Sequence, residues 1–163
     1  MVDIFVCFGN LKRGSKLLQR KPKQLSKEHE GFIANALNGK VVIASGALYF
    51  AKGDVITTDY LIECKATQKS FYVLKRVIVE KIEKEALKCN RLPLLAIRIL
   101  DRDFILFRLF DFKSKDHEYE IDLQESYKLS LTLAEQSQLV IKVGKTKWQL
   151  YSLSDFEDLM GDD

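Results

Sequence analysis

Residues Ser45–Lys65 read SGALYFAKGDVITTDYLIECK, and the fold turns on how they are read. Asp54 opens an apolar run, Asp-Val-Ile, after the glycine Gly53. Tyr60–Lys65 is a second run, and the two are joined around Thr58-Asp59, so Asp54–Thr57 and Tyr60–Lys65 are predicted to be adjacent strands. Residues two apart on a strand share a face. Glu63 and Lys65 therefore project together, while Ile62 and Cys64 turn the other way, into a core. If the strands pair, Asp54 approaches the same side. Two carboxylates and an ammonium then stand together, an arrangement suited to one divalent cation held by hard oxygen ligands.

Outward from this window, Ser26 is a plausible N-cap for a helix running to about Leu37, with Phe32, Ile33, Ala36 and Leu37 on one face and Asn38-Gly39 at its end. Lys40–Ala44 is strand-like, and Phe71–Val73 is a further short strand. Leu74–Asn90 reads as a long amphipathic helix, with Leu74, Val77, Ile78, Ile82 and Ala86 on its stripe and Pro93 after it. Leu94–Leu100 and Phe104–Phe110 are strands around the turn Asp101-Arg102-Asp103. Beyond 111 the pattern is a polar loop, strands at Leu139–Val143 and Lys147–Leu153, and an acidic helix at Ser154–Met160. The order of elements predicts an α/β fold, a mixed central β-sheet flanked by helices. The reading is one domain over 1–163, made of an N-terminal arm (1–27), a core (26–110) and a C-terminal extension (111–163).

Composition narrows the chemistry. The chain has 163 residues, 26 Lys+Arg against 23 Asp+Glu, and only two histidines, His29 and His117, which leaves little for a zinc enzyme or a Ser-His-Asp hydrolase. Three widely spaced cysteines (Cys7, Cys64, Cys89) argue for a reducing, cytoplasmic setting and against a disulfide framework. The longest apolar runs are strand-length, and no leader with a small-residue cleavage site opens the chain, so neither a membrane span nor secretion is expected. The net charge of +3 hides segregation. Seven basic residues and no acid fall between Ile4 and Lys27, five acids and no base follow Trp148, and the middle is close to balance. A basic arm of Lys12, Arg13, Lys16, Arg20, Lys21, Lys23 and Lys27 is the footprint expected toward a polyanion such as nucleic acid. Gln68 and Lys69, just past the motif, are placed to touch the phosphates of such a polyanion. Lys75, Arg76, Lys81, Lys84 and Lys88 read as a mixed solvent face, interleaved with glutamates.

Two acid-x-Lys triplets occur, Glu63-Cys64-Lys65 and Asp111-Phe112-Lys113. Only the first has an upstream Gly-Asp on its own strand, a preceding helix with glutamates and a following helix. In this context the elements resemble the PD-(D/E)XK nuclease superfamily over about residues 26–100, and within it most closely the archaeal-type Holliday junction resolvases, including those of viruses and phages. The matching elements are Glu-His-Glu (28–30), Ser45-Gly46, Asp54-Val55-Ile56, Glu63-Cys64-Lys65 and the basic segment Lys12–Lys27.

The resemblance implies a restriction-endonuclease-like αβββαβ core. It implies Asp54, Glu63 and the Cys64 carbonyl as metal ligands, Lys65 as the catalytic lysine, Ser45 as an active-site contact and the basic arm as DNA-binding. A helix glutamate joins the site: alignment of the apolar positions favours Glu30, the Glu-x-Glu doublet favours Glu28, and a helical wheel puts His29 nearest the apolar face. Gly53 stands where the family has proline, and 111–163 matches nothing in it. The expected activity is Mg²⁺-dependent cutting of branched DNA (Mn²⁺ substituting), with 5′-phosphate ends and paired symmetric nicks in four-way junctions. Such symmetry asks for a homodimer, whose surface is sought on the exposed face of Leu94–Phe110 or on 111–163. The alternatives are a related nuclease acting on duplexes, nicks or ends, and a non-catalytic DNA-binding protein.

Overall fold

The computed structural model describes residues 21–43, 53–109, 119–136 and 139–161. Helix α1 spans Pro22–Ala36 and starts four residues before the expected Ser26 cap. Pro22 sits in the first turn, where its fixed φ suits the helix and its missing N–H costs nothing. Ser26 is an exposed residue inside the helix. The helix ends in a Schellman turn: Gly39 N–H donates to Ala34 O at 2.7 Å, and Asn38, not the glycine, takes the left-handed conformation at φ 51°.

Strands β1 (Lys40–Val41), β2 (Val55–Ile56) and β3 (Tyr60–Thr67) follow, then β4 (Phe71–Lys75), helix α2 (Arg76–Lys88), and the hairpin β5 (Leu92–Ile99) and β6 (Arg102–Leu109). β2 meets β3 antiparallel, Val55 opposite Ile62, and β3 runs parallel to β5 through eight residue pairs. Leu74, read as helical, is instead a fully buried residue of β4. With α2 beginning at Arg76, its buried stripe is Val79, Ile82 and Ala86, while Val77 is exposed. A second Schellman turn closes α2, with Asn90 at φ 52° and Arg91 N–H on Ala86 O at 3.0 Å. Pro93 lies within β5, beside Leu61; pairing with β6 begins at Leu94, so no ladder bond from that side is missing. The β5–β6 turn is Leu100-Asp101, and β6 starts two residues earlier than expected, taking in Arg102 and Asp103.

Residues 119–161 complete the sheet: β7 (Tyr119–Asp122), β8 (Ser126–Ser130), α3 (Leu131–Ala134), β9 (Leu139–Val143), β10 (Thr146–Ser152) and α4 (Leu153–Gly161). Among the described residues the main sheet has eight strands in the order β1-β2-β3-β5-β6-β10-β9-β7, and β4 and β8 form a separate two-stranded ribbon. Both faces are covered. Leu61, Leu95, Ile97, Phe104 and Leu106 pack with α2 and with Leu74 and Leu129 of the ribbon. Ile62, Cys64, Leu94, Ala96 and Ile105 pack with Ile33 and Ala34 of α1 and with Leu153 and Phe156 of α4. The hairpin β5–β6 thus has no exposed face to offer a partner: Leu94, Leu95, Ala96, Ile97, Ile105 and Leu106 are all fully buried. Among the described residues no helix is long and apolar enough to cross a membrane.

Candidate active site

β2 is only two residues long, so β3 leaves its neighbour's ladder after Ile62. The backbone donor that follows, Cys64 N–H, is satisfied by a side chain: it donates to Asp54 Oδ2 at 2.7 Å. The Asp54 N–H in turn donates to Ile62 O at 2.9 Å. Asp54 is thereby pinned beside the middle of β3. Gly53 makes the approach possible, since a Cβ there would lie 2.8 Å from Leu61 Cγ and 3.0 Å from Ile62 O. A proline ring carries the same Cβ, which accounts for glycine at this position.

On β3, Glu63 and Lys65 share the face toward α2, as their spacing requires. Lys65 Nζ lies 2.7 Å from Glu63 Oε1 and 3.2 Å from the Cys64 carbonyl oxygen. Glu63 is 5% exposed, an unusual burial for a carboxylate, and is tolerable only because cations surround it. The second of these is Lys81 of α2, whose Nζ lies 3.3 Å from Glu63 Oε2 and 4.0 Å from Glu85. Lys81 is exposed, as the mixed solvent face of the helix predicts, yet its ammonium also reaches Glu63. Nothing in the helix pattern says which turn of α2 crosses above Glu63; the i,i+4 spacing of Lys81 and Glu85 accounts only for the pair within the helix.

The charges are coupled. Burial pushes the Asp54 carboxyl above its ordinary value and the Glu63 charge adds to this, against the Cys64 hydrogen bond and the charges of Lys65 and Lys81. Burial also raises Glu30, with the Asp54 charge next, opposed by Lys65 and Lys27. For Lys81, burial acts downward, but the charge and hydrogen bond of Glu63 prevail and raise it. Tyr72 of β4 is pushed up to about 12 by burial and then by the Glu63 charge, which puts its phenol within the field of the site. Burial likewise drives up the Cys64 thiol, which faces the opposite core.

Of the helix glutamates, Glu30 is half-buried and coupled to Asp54, Lys65 and Glu63, whereas Glu28 is exposed and accepts a hydrogen bond from Gln24 at 2.9 Å. His29 is fully buried, its Nε2 3.1 Å from Asp103 Oδ1, and Arg98 grips the same carboxylate at 2.8 and 2.7 Å. Gln68 and Lys69 lie in the exposed turn after β3, about 16 Å along the strand from Glu63. Lys21 is the N-cap residue of α1, and Lys23 and Lys27 are exposed on that helix rather than on a separate arm. Lys12, Arg13, Lys16, Arg20 and Ser45 lie outside the described residues. A cavity of about 530 Å³ bounded by Asp103, Glu135, Tyr151 and Asp155 includes none of the residues read as catalytic.

No protein-family model matches the chain, and no curated protein matches it. Among solved structures it is similar to a Holliday junction resolvase of Archaeoglobus fulgidus, an archaeal hyperthermophile. The identity is 13% and the TM-score 0.45, over 70% of this chain and 87% of that one. A superposition of that quality transfers no residue's role, and the chemistry of the site rests on its own geometry.

Among the described residues, no three His, Cys, Asp or Glu side chains gather into a metal cage. The oxygens available are two carboxylates and a main-chain carbonyl. Glu63 Oε1 and Cys64 O already converge on one positive centre, the Lys65 ammonium, and Asp54 is pinned beside them. An incomplete set of hard oxygens fits Mg²⁺, which keeps several of its waters, better than ions that demand a full protein cage.

Proposed function

We propose that this protein is a divalent-metal-dependent DNA endonuclease acting on branched DNA, a resolvase-type enzyme for four-way junctions. One observation carries the reading: on adjacent strands, Asp54 is pinned to β3 beside a nearly buried Glu63 that is in direct contact with Lys65. Structural ion pairs seldom bury a carboxylate between two lysines and next to a second carboxylate whose charge is disfavoured.

Asp54, Glu63 and the Cys64 carbonyl would hold Mg²⁺, or Mn²⁺ in its place. When bound, the ion would neutralise phosphate charge and lower the pKa of a coordinated water. Lys65, in contact with Glu63, would orient the attacking water and stabilise charge developing on the phosphoryl oxygens. Glu30, which feels the Asp54 charge, would hold a proton or a water at the edge of the site. In-line attack at phosphorus with departure of the 3′ oxygen leaves a 5′-phosphate. Lys21, Lys23 and Lys27 of α1, with the basic residues preceding them, would bind the DNA backbone. Symmetric cutting of a two-fold junction calls for a homodimer.

The test is incubation with a four-way junction and a matched linear duplex, in Mg²⁺ or in EDTA. Paired symmetric nicks in the junction alone, reduced about 10²-fold or more in Glu63→Gln, are expected. Equal cutting of the linear duplex would leave a nuclease and overturn the junction preference. Tight binding without cutting in Mg²⁺ or in Mn²⁺ would overturn catalysis and favour a non-catalytic DNA-binding protein.

A further inference from the structure

The ribbon β4–β8 has two unlike faces. Alternation along β4 turns Tyr72 and Leu74 inward, onto the core beneath α2, and turns Phe71, Val73 and Lys75 outward. On β8, Leu129 is buried, while Ser126 and Lys128 are exposed and Ser130 is half-buried. The register sets Phe71 opposite Ser130 and Val73 opposite Lys128. Two ammoniums converge on the Phe71 ring: Lys128 Nζ lies 4.2 Å from its centroid, and Lys69 Nζ, from the turn after β3, lies 5.6 Å away. Like charges drawn to one aromatic surface are held by the ring quadrupole rather than by a counter-charge. Neither lysine, nor Lys75, forms an ion pair with a carboxylate among the described residues, although Lys65, Arg76, Lys81, Arg98, Arg108 and Lys147 all do. The nearest acid in sequence, Glu125, is exposed just outside β8.

We infer that this outer face, Lys69, Phe71, Lys75 and Lys128 with the hydroxyls of Ser126 and Ser130, is a second DNA-backbone contact that grips the arm leaving the site. The inference rests on the nuclease reading. Ammoniums without carboxylate partners, hydroxyl groups and an aromatic plane are the inventory of a phosphate-tracking surface. Its position agrees. The inner face of β4 puts Tyr72 within the field of Glu63. Lys69 is six residues from Glu63, in the turn just past the end of β3, so the two are at most about 20 Å apart, a length over which a duplex carries roughly a dozen phosphate charges. A helix bound at Glu63 therefore has phosphates to present at the ribbon.

The experiment measures binding of a fluorescent four-way junction by anisotropy in EDTA across a salt series, and cleavage in Mg²⁺ at saturating protein. Lys69→Ala/Lys128→Ala is compared with wild type and with Lys84→Ala/Lys88→Ala, which removes the same charge from α2. The ribbon variant is expected to bind about tenfold or more weakly, with the log–log salt slope shallower by about 2. The α2 variant should bind like wild type. Equal losses in both double variants would reduce the effect to net charge and overturn the inference. So would wild-type affinity in the ribbon variant, with the nuclease reading intact if the protein still cuts. Absence of cutting by every variant, with the binding difference preserved, would overturn the nuclease reading and leave the ribbon as a DNA contact. Phe71→Leu should reproduce part of the binding loss, because it removes the surface that gathers the two ammoniums.

Discussion

At the scale of single residues, the site is a balance between carboxylates that burial disfavours and lysines that rescue them. Asp54 shows the sign most clearly. Its carboxyl titrates above its unfolded value, so the folded state holds a proton that the unfolded chain releases. Stability is therefore lost as pH rises from about 4, the unfolded value, through the raised folded value. Asp54→Asn keeps an oxygen to accept the Cys64 N–H and removes the charge. It should raise the melting temperature of the metal-free protein at neutral pH, and the gain should fade below about pH 4. Mg²⁺ at a hundredfold excess over its Kd should stabilise wild type by about 2.7 kcal/mol and leave Asp54→Asn nearly unmoved. Calorimetry with and without Mg²⁺ reads both; a wild-type melting point indifferent to Mg²⁺ would count against a metal site. This is the usual conflict between a strained functional cluster and stability.

At the scale of elements, α1 is fastened to the β5–β6 hairpin by a polar knot. Asp103 accepts both arms of the Arg98 guanidinium and lies beside the buried His29, and Arg98 also stacks 4.8 Å from the Phe32 ring. Burial alone would raise the Asp103 carboxyl, but the hydrogen bonds of His29 and Arg98 and the Arg98 charge hold it below its ordinary value. Its contribution is therefore present above the unfolded value near pH 4 and is lost as pH falls through the lower folded value. Asp103→Asn should cost about 3 kcal/mol at neutral pH, because it leaves Arg98 nearly buried against a neutral partner, and the deficit should shrink in acid. Urea melts at pH 7 and pH 3 check this, and equal stability at pH 7 would refute it. Since Glu30 follows His29 directly, the same knot holds that glutamate toward Asp54.

At the scale of the molecule, the C-terminal third is structural. β10 pairs with β6 through six residues and brings β9 and β7 with it. Trp148, Leu139, Ile141 and Phe156 are fully buried in the two cores. A chain ending at 110 would leave the β6 edge open and both cores without these side chains, at a cost of several kcal/mol for each large one. Such a truncation should lack a cooperative thermal transition, whereas the full chain should unfold with a single change in the emission of its only tryptophan. A sharp melt from the truncated chain would show that 119–161 is separable.

Much of this was legible in the chain alone. Period-two alternation identifies β3 and dictates that Glu63 and Lys65 share a face, and the turn chemistry of Asn38-Gly39 ends the first helix. These depend on neighbours in sequence, where local sterics act. Helix starts were less legible: Pro22 outweighs Ser26, and Leu74 is apolar whether it lies in a strand or on a helix. Three things were decided by tertiary structure alone: the approach of Lys81 and Tyr72 to Glu63, the nearness of Glu30 rather than Glu28 to the Asp54 charge, and the insertion of β10 beside β6. Each is a contact between residues far apart in the chain. Its geometry depends on how α1, α2 and the ribbon cross the sheet, and that is decided by the packing of two cores rather than by any local pattern.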